Sequence, residues 1–461
     1  MEGKQENTPA ATASPKKPFA QKVWGRLLVN LCRFAVALVF IFSGFVKAVD
    51  PLGTQYKIND YLTALNLNGL VSDWVTLGMS VGLSAVEFCL GVFLLFAIHR
   101  RTSSKVALAL MIVMTIVTIW LWEENPIADC GCFGDAVHLT NGQTLLKNLV
   151  LLAFTAIIAW QPLVLVRFIS KTNQWIVMYV TVLFILVVSA WCLYYLPIFD
   201  FRPYHVGANI VKGMEIPEGA KSPEFVTTFI MEKNGQRKEF TEENYPDSTW
   251  TFVDSKTVQT DAGYVPPIHD FSIERMDTGE DITQEVLHDT GYTFLLISPH
   301  LELASDSNFG EIDMLYEYAV DHGYPFYGLT ASGQDAVDRW RDLTGAEYPF
   351  CFTDETTLKT IVRSNPGMLL LKNGTIIQKW SHNDLPVIAQ QDTKQPLEKL
   401  AIGRLGDDSV PKKLSIIMMW YVLPLAILTM GDRLWAGGQW LYRRNKRRGK
   451  AAAKQAEDPS E

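Results

Sequence analysis

Cysteine is scarce, with six in 461 residues, and so small a number does not build a disulfide scaffold in a chain of this length. No small-residue cleavage site follows the first apolar run. The Ala-, Thr-, Pro- and Lys-rich stretch Met1–Lys22 therefore reads as a disordered tail and not as a cleavable signal peptide. No cofactor motif is evident and no metal is expected. Charge is unevenly spread: behind the formal net charge of −8, acid concentrates in the middle region and base at both ends. The basic clusters abut apolar runs, which excludes nucleic acid as their partner.

Long apolar runs are abundant. Val23–Val46, Val75–Ile98, Val106–Trp122, Gln143–Phe168, Trp175–Leu196 and Leu414–Leu434 each approach the roughly 20 residues that a helix needs to cross the hydrocarbon core. The expected fold is a membrane all-α bundle of six transmembrane helices. Thr54–Leu67 carries Ile58, Tyr61, Leu62 and Leu65 at helical spacing and is expected to lie along the membrane surface. Four segments are basic: the N-terminal tail, the turn at His99–Lys105, the turn at Arg167 and Lys171, and the tail from Arg443. Six spans put all four on one side, the cytoplasmic one. The loop after the third span and the region from Phe199 to Lys413 then face outward. Acidic outer loops and the cluster of Trp120, Trp122, Trp191, Tyr194 and Tyr195 agree with that placement.

Within the outer region, Phe225–Ile230, the Asn234-Gly235 turn and Thr249–Asp254 indicate a small β element over 199–264. From Pro267 the pattern changes. Strands are expected at Thr293–Ser298, Phe326–Thr330, Gly367–Lys372 and Thr375–Trp380, with a hairpin turn at Asn373-Gly374. Helices are expected at Phe309–His322, Gln334–Leu343 and Leu358–Arg363, giving an α/β domain with a mixed sheet over 265–410. The remaining divisions are 1–22, the bundle 23–198, the last helix 411–436 and a basic tail 437–461.

Chemistry concentrates at Asp129-Cys130-Gly131-Cys132-Phe133-Gly134. Two thiols at i and i+2 reach the far end of the Cα separation that a disulfide tolerates, and glycine between them eases the small ring. Such a ring is strained and easily reduced, as a redox-active pair should be. The outward side is oxidising, where this chemistry is usable. An inert pair, and half of a metal site with Asp129, Asp135 or His138, remain open alternatives. Acidic neighbours Glu123, Glu124, Asp129 and Asp135 are expected to raise the thiol pKa values.

Glu87 sits mid-span, so it must find a partner or a proton among other helices. A protonatable carboxyl there could serve a quinone, though no residue pattern identifies a quinone site. Arg33 and Lys47 lie in or beside the first span, and Arg33 is expected to snorkel to head groups. Cys32, Cys89 and Cys192 read as packing residues, with Cys192 alone near enough to the outer interface to exchange with the loop pair.

These residues resemble a known family. Phe42-Ser43-Gly44-Phe45-Val46-Lys47, Asp50-Pro51, Tyr61, Glu87 and Cys130-Gly131-Cys132-Phe133-Gly134 are similar to DoxX/MauE-type membrane proteins, the cysteine signature to the methylamine-utilisation protein MauE. The resemblance covers about Trp24–Leu196 and implies a helical bundle in the cytoplasmic membrane with a role in redox or cofactor maturation. Pro267–Lys399 resembles a thioredoxin-like domain, with Asn365-Pro366 in the place of its cis-proline loop. MauE proteins are associated with a separate thioredoxin-like partner, and this chain resembles the two fused. Pro299–Ser305, where that fold carries its redox pair, has no cysteine, and Cys351 is expected to be a buried small hydrophobe.

The function expected is thiol–disulfide or quinone-linked redox support of protein maturation outside the cytoplasm. Cys130, Cys132 and Glu87 are its site, the bilayer its surroundings, and an extracytoplasmic client or redox protein its partner. The competing class is a non-enzymatic membrane scaffold presenting a redox-silent thioredoxin-like domain. In spheroplasts, an Asn383→Cys variant should react with a membrane-impermeant thiol reagent and a Lys454→Cys variant should not. Labelling of the tail would overturn the topology.

Overall fold

The computed structural model describes residues 23–67, 69–127, 129–217, 219–220, 224–233, 236–241, 251–261 and 263–457. The expected disordered tail Met1–Lys22 and the Asn234-Gly235 turn lie outside the described residues. The chain forms two compact units: one runs to Leu193, adds Pro197–Phe199 and resumes at Ser409, and the other holds Tyr194–Leu196 and Asp200–Asp408.

The first unit opens with α1 (Val23–Val49), α2 (Pro51–Ala64), α3 (Asp73–Phe96), α4 (Arg100–Glu124), α5 (Asn141–Trp160) and α6 (Gln174–Tyr194). Together with the last helical segment, six helices are long and apolar enough to cross a membrane. Local sequence makes the joints. Pro51 starts α2, where its missing N–H costs nothing, and Asp50 Oδ1 caps that helix by accepting from Gly53 N at 2.9 Å. Thr140 and Gln143 form a capping box that starts α5.

Two span boundaries differ from expectation. The basic turn His99–Lys105 is mostly helix, because Arg and Lys are good helix formers and α4 already begins at Arg100. Conversely, α5 stops at Trp160 and not at Phe168, because Pro162 lacks the N–H that a continuing helix needs and disfavours helical Gln161 before it.

Helices α1 and α3 approach most closely at glycines. A Cβ on Gly44 would lie 2.4 Å from the Phe88 backbone N, and one on Gly91 would lie 2.7 Å from Ile41 N. Small residues allow such contact where lipid provides no hydrophobic drive between helices. Val36, Phe40, Leu90, Leu94, Met111 and Leu151 fill the core between α1, α3, α4 and α5. Arg33 does not snorkel. It is fully buried at 0% exposure, with Nη1 donating to Val166 O at 2.6 Å and its guanidinium 4.4 Å from the Phe34 ring centroid. The 161–170 loop folds against α1 and supplies the carbonyl that holds it.

In the second unit, α7 (Ile210–Met214) precedes β1 (Glu224–Lys233), β2 (Gln236–Thr241) and β3 (Thr251–Asp261), an antiparallel sheet in the order β2-β1-β3. A larger sheet follows, built from β4 (Glu274–Arg275), β5 (Tyr292–Ser298), β6 (Phe326–Thr330), β7 (Phe350–Phe352), β8 (Gly367–Lys372) and β9 (Thr375–Ser381). Its helices are α8 (Thr283–His288), α9 (Phe309–His322), α10 (Gln334–Thr344) and α11 (Glu355–Ile361). The strand order is β4-β7-β6-β5-β8-β9. β5, β6 and β7 run parallel, while β8 and β9 are antiparallel to their neighbours. This is the mixed α/β sheet expected of a thioredoxin-like domain, with the Asn365–Pro366 peptide bond cis just before β8. β5 is buried along its whole length because both sheet faces are covered: Phe294 and Leu296 enter one core, Leu295 and Ile297 the other.

Four elements escaped the sequence reading: α7, β4, α8 and β7 are five, two, six and three residues long, too short for periodicity to register. The chain ends in α12 (Val410–Ile417), a π turn over Met418–Val422, and α13 (Leu423–Glu457). The last helix does not stop at Leu434 but continues through Arg443, Arg444 and Lys446, residues with high helix propensity.

Gly44→Ala should destabilise the purified protein by about 1–3 kcal/mol, the usual cost of overpacking. Gly78→Ala, where nothing lies within 4 Å of the added carbon, should stay within about 0.5 kcal/mol of the parent. Thermal unfolding in detergent separates the two; equal effects would show that the α1–α3 contact is looser than described.

Candidate functional site

The cysteine loop is set by its anchors. Asn125 takes a left-handed conformation after α4, and Asn141 at the start of α5 donates Nδ2 to Ile127 O and Asn125 Oδ1, both at 2.8 Å. Within the loop Gly131 has φ +65°, and an added Cβ would meet Lys57 Cγ at 3.0 Å, so glycine is required there on two counts. Asp129 closes the turn by accepting from Gly131 N at 3.0 Å, and its other oxygen lies 3.1 Å from His138 Nδ1. Among the described residues, no group of three or more His, Cys, Asp and Glu side chains is placed to hold a metal.

This loop brings Cys130 Sγ and Cys132 Sγ to 2.8 Å from each other. Each half-buried cysteine is held through its backbone carbonyl by a different helix. Tyr61 OH of α2 donates to Cys130 O at 2.7 Å. Burial and the neighbouring cysteines raise the Tyr61 pKa, which keeps this donor protonated. Ser43 of α1 shares its hydroxyl proton between Cys132 O and Glu87 Oε2, each 2.7 Å away.

Glu87 finds a partner. Lys47 Nζ lies 2.8 and 2.7 Å from the two carboxylate oxygens, and the side chains are only 6% and 7% exposed. Lys47 Nζ also donates to Ser43 Oγ at 3.1 Å, one helical turn away. A buried ion pair persists only when its remaining hydrogen-bonding capacity is met, and Ser43 helps to meet it. Lys147 of α5 stands over the Phe133 ring at 4.2 Å, and Phe42 packs on the same ring at 5.4 Å between centroids.

Cys132, Phe133, Ser43, Lys47, Glu87 and Lys147 share the walls of a cavity of about 40 Å³ whose remaining lining is largely apolar. That is room for a water or two. A quinone ring is larger than this cavity.

The electrostatics separate the two thiols. The hydrogen bond from Cys130 pulls the Cys132 thiol down to about 6; burial opposes this, and the positive charges of Lys147 and Lys47 reinforce it. Cys130 moves the opposite way, raised by sharing its proton with Cys132 and by burial. The expectation of acid-raised thiols therefore fails for Cys132. Acidic loop residues are near in sequence, but two lysines from the helices face the sulfur, and the one carboxylate with a notable effect is the paired Glu87.

The structure thus joins Cys130, Cys132 and Glu87 through Ser43. Sequence reasoning missed Ser43 and Lys147 as site residues, and named Lys47 and Tyr61 without a role. The i, i+4 spacing of Ser43 and Lys47 was the available signal; Lys147 gave none. The other thiols stand apart. Cys89 and Cys192 are buried in the core that α3 and α6 share with the last span, and Cys32 in the core of α1.

In the second unit, Pro299–Leu303 holds the turn after β5, and Asn365 fastens it by donating Nδ2 to His300 O at 2.8 Å while its Oδ1 accepts from Ser298 Oγ at 2.6 Å. His300 there meets Glu355 at 3.1 Å, with no thiol in the turn. Cys351 is fully buried in β7, and burial pushes its thiol up to about 12.

Residues 25–161, which carry α1 through α5 and the cysteine loop, match the family described as methylamine utilisation protein MauE. This stretch is MauE-like. Residues 225–262 match a family described only as a domain of unknown function. No curated protein matches the chain. A solution structure of a proposed protein disulfide isomerase from Bacteroides thetaiotaomicron is similar over 25% of this chain and 76% of that one, at 17% identity. Its TM-score of 0.20 is too low to argue from, and the thioredoxin-like description rests on strand order alone. The MauE-like stretch ends before α6, yet it contains every residue of the site just described.

In the reduced protein, alkylation of Cys132 by iodoacetamide should follow a midpoint near pH 6, present above it and lost as the pH falls through it. Lys147→Gln should move that midpoint up by about one unit. A midpoint above 8 in the parent would refute the charge assignment.

Proposed function

We propose that the chain is a membrane thiol–disulfide exchange protein that supports maturation of proteins outside the cytoplasm. The observation that carries this reading is a close pair of unequal thiols, with Cys132 beside two lysines. Cys132 is the attacking thiolate. It forms a bond to one sulfur of a partner disulfide, and the other partner sulfur leaves as a thiolate. Cys130 then passes its proton to the partner thiolate already released and attacks Cys132 Sγ, so the mixed disulfide breaks, and the second partner sulfur leaves as a thiolate that takes its proton from water. Two electrons pass from the pair to the partner, and the same steps run backward when the partner arrives reduced. The hydrogen bonds from Ser43 and Tyr61 to the Cys132 and Cys130 carbonyls hold the loop backbone through the exchange.

In this reading Glu87 is a positioning residue. It fixes Lys47 toward the sulfur and, through Ser43, the Cys132 carbonyl. The thioredoxin-like unit binds the client or redox partner, since its one thiol is buried and its active-site turn has none. The termini are assigned to the cytoplasm and residues 199–413 to the outside, the periplasmic face of a cytoplasmic membrane, because the four basic segments share one side. A role in methylamine metabolism rests on the MauE family's description alone.

Cys130→Ser should accumulate a reductant-sensitive adduct through Cys132 on non-reducing gels, whereas Cys132→Ser should form none. The potential of the parent pair should lie well above about −300 mV, outside the range of structural disulfides. If neither variant forms an adduct and client oxidation is unchanged in both, the pair is static and the protein is a scaffold.

A further inference from the structure

The opposite, basic end of the bundle contains an open cleft of about 680 Å³ that the cysteine chemistry does not use. Arg100 and Arg101 from the start of α4, Arg167 and Lys171 from the loop between α5 and α6, and Gln174 from the start of α6 line it. No carboxylate is among its lining residues. The nearby acid Asp432 is already occupied, accepting from Ser170 N at 2.7 Å, Ser170 Oγ at 2.6 Å and Asn173 Nδ2 at 2.7 Å.

Two further observations give this cleft the character of an anion site. Arg100 Nε, Arg167 Nε and Gln174 Nε2 are buried nitrogens with no hydrogen-bond partner, and Gln174 as a whole is only 6% exposed. A buried donor left unpaired costs free energy, so unpaired groups on one wall are the complement of an acceptor. Moreover, the N-termini of α4 and α6 both reach the cleft. Neither helix has an acidic residue in its first turn, and His99 makes no side-chain cap bond. Cations at a helix N-terminus oppose the macrodipole, whereas an anion is stabilised there. Arg100 and Arg101 at the positive end of α4 are unfavourable by themselves and favourable around a phosphate, whose oxygens a guanidinium fork matches.

We propose that this cleft binds a phosphate-bearing anionic head group. The surroundings favour a lipid as its source. Leu163, 59% exposed, forms part of the lining, and Trp175, 57% exposed, follows Gln174. Exposed tryptophan marks the level at which head groups meet hydrocarbon, and basic pockets between spans are where anionic lipid head groups are held. The Asp432 bonds give the site its shape, because they hold the Ser170–Asn173 turn from which Lys171 reaches the cleft.

Native mass spectrometry of the delipidated full chain tests this with phosphatidylglycerol, phosphatidylcholine and inorganic phosphate as probes. Phosphatidylglycerol should be retained at least about tenfold more tightly than phosphatidylcholine. Arg167→Gln combined with Gln174→Leu should lower that retention roughly tenfold, the scale of one lost charge-assisted contact. Arg443→Gln with Arg444→Gln, outside the cleft, should leave it unchanged. Should the first variant fold poorly, the exposed Lys171→Glu change provides the same readout. Protection against heat by inorganic phosphate equal to that by phosphatidylglycerol would identify a soluble phosphate as the source; protection by the lipid alone identifies the membrane. Equal retention of both lipids with no effect of phosphate, or full retention by the cleft variants, overturns the proposal.

Discussion

The pairing of Lys47 with Glu87 is the constraint on which the membrane unit depends. Each charge alone would be prohibitive at such depth. Together they lock α1 to α3, and removal of one partner of such a pair typically costs about 3–5 kcal/mol because the other is stranded. The pair also requires close helices, which explains the glycines: Gly44 sits one position from Ser43 and directly against Phe88, the neighbour of Glu87. Packing and electrostatics therefore specify the same crossing point.

That crossing point lies under the cysteine loop. Ser43 extends the ion pair to the Cys132 carbonyl, so the loop is attached to the most strongly determined contact in the bundle. The result is a short, acidic loop whose Cys132 sulfur nevertheless experiences the positive charges of Lys147 and Lys47. Such an arrangement sets the two thiols apart, Cys132 lowered and Cys130 raised, without any residue of the loop itself supplying the cation.

The two units divide chemistry from shape. The thioredoxin-like sheet keeps the strand order, the cis Asn365–Pro366 bond and the fastened turn after β5, but puts His300 and Glu302 where a redox pair would be. Its single thiol is buried beneath the sheet's own core. The close pair of thiols, Cys130 and Cys132, lies in the membrane unit.

The amino-acid sequence by itself determined the class of each part. Six apolar runs of spanning length can satisfy their backbone in lipid only as helices, and strands that alternate between two apolar faces can only be a covered sheet. Cys130-Gly131-Cys132 was legible for the same reason, since local geometry alone makes it a pair. What tertiary structure decided were the meetings of residues far apart in sequence. Glu87 needed a partner by solvation physics, but only the α1–α3 crossing chose Lys47. Lys147 gave no signal in the sequence, and only the packing of α5 placed it over the Phe133 ring. Arg33, expected at the surface because long cations usually reach it, became fully buried because the 161–170 loop folded back with a carbonyl to offer. Charge near in sequence misled for Cys132, because a field is set by distance through space, and only the packed helices determine that distance.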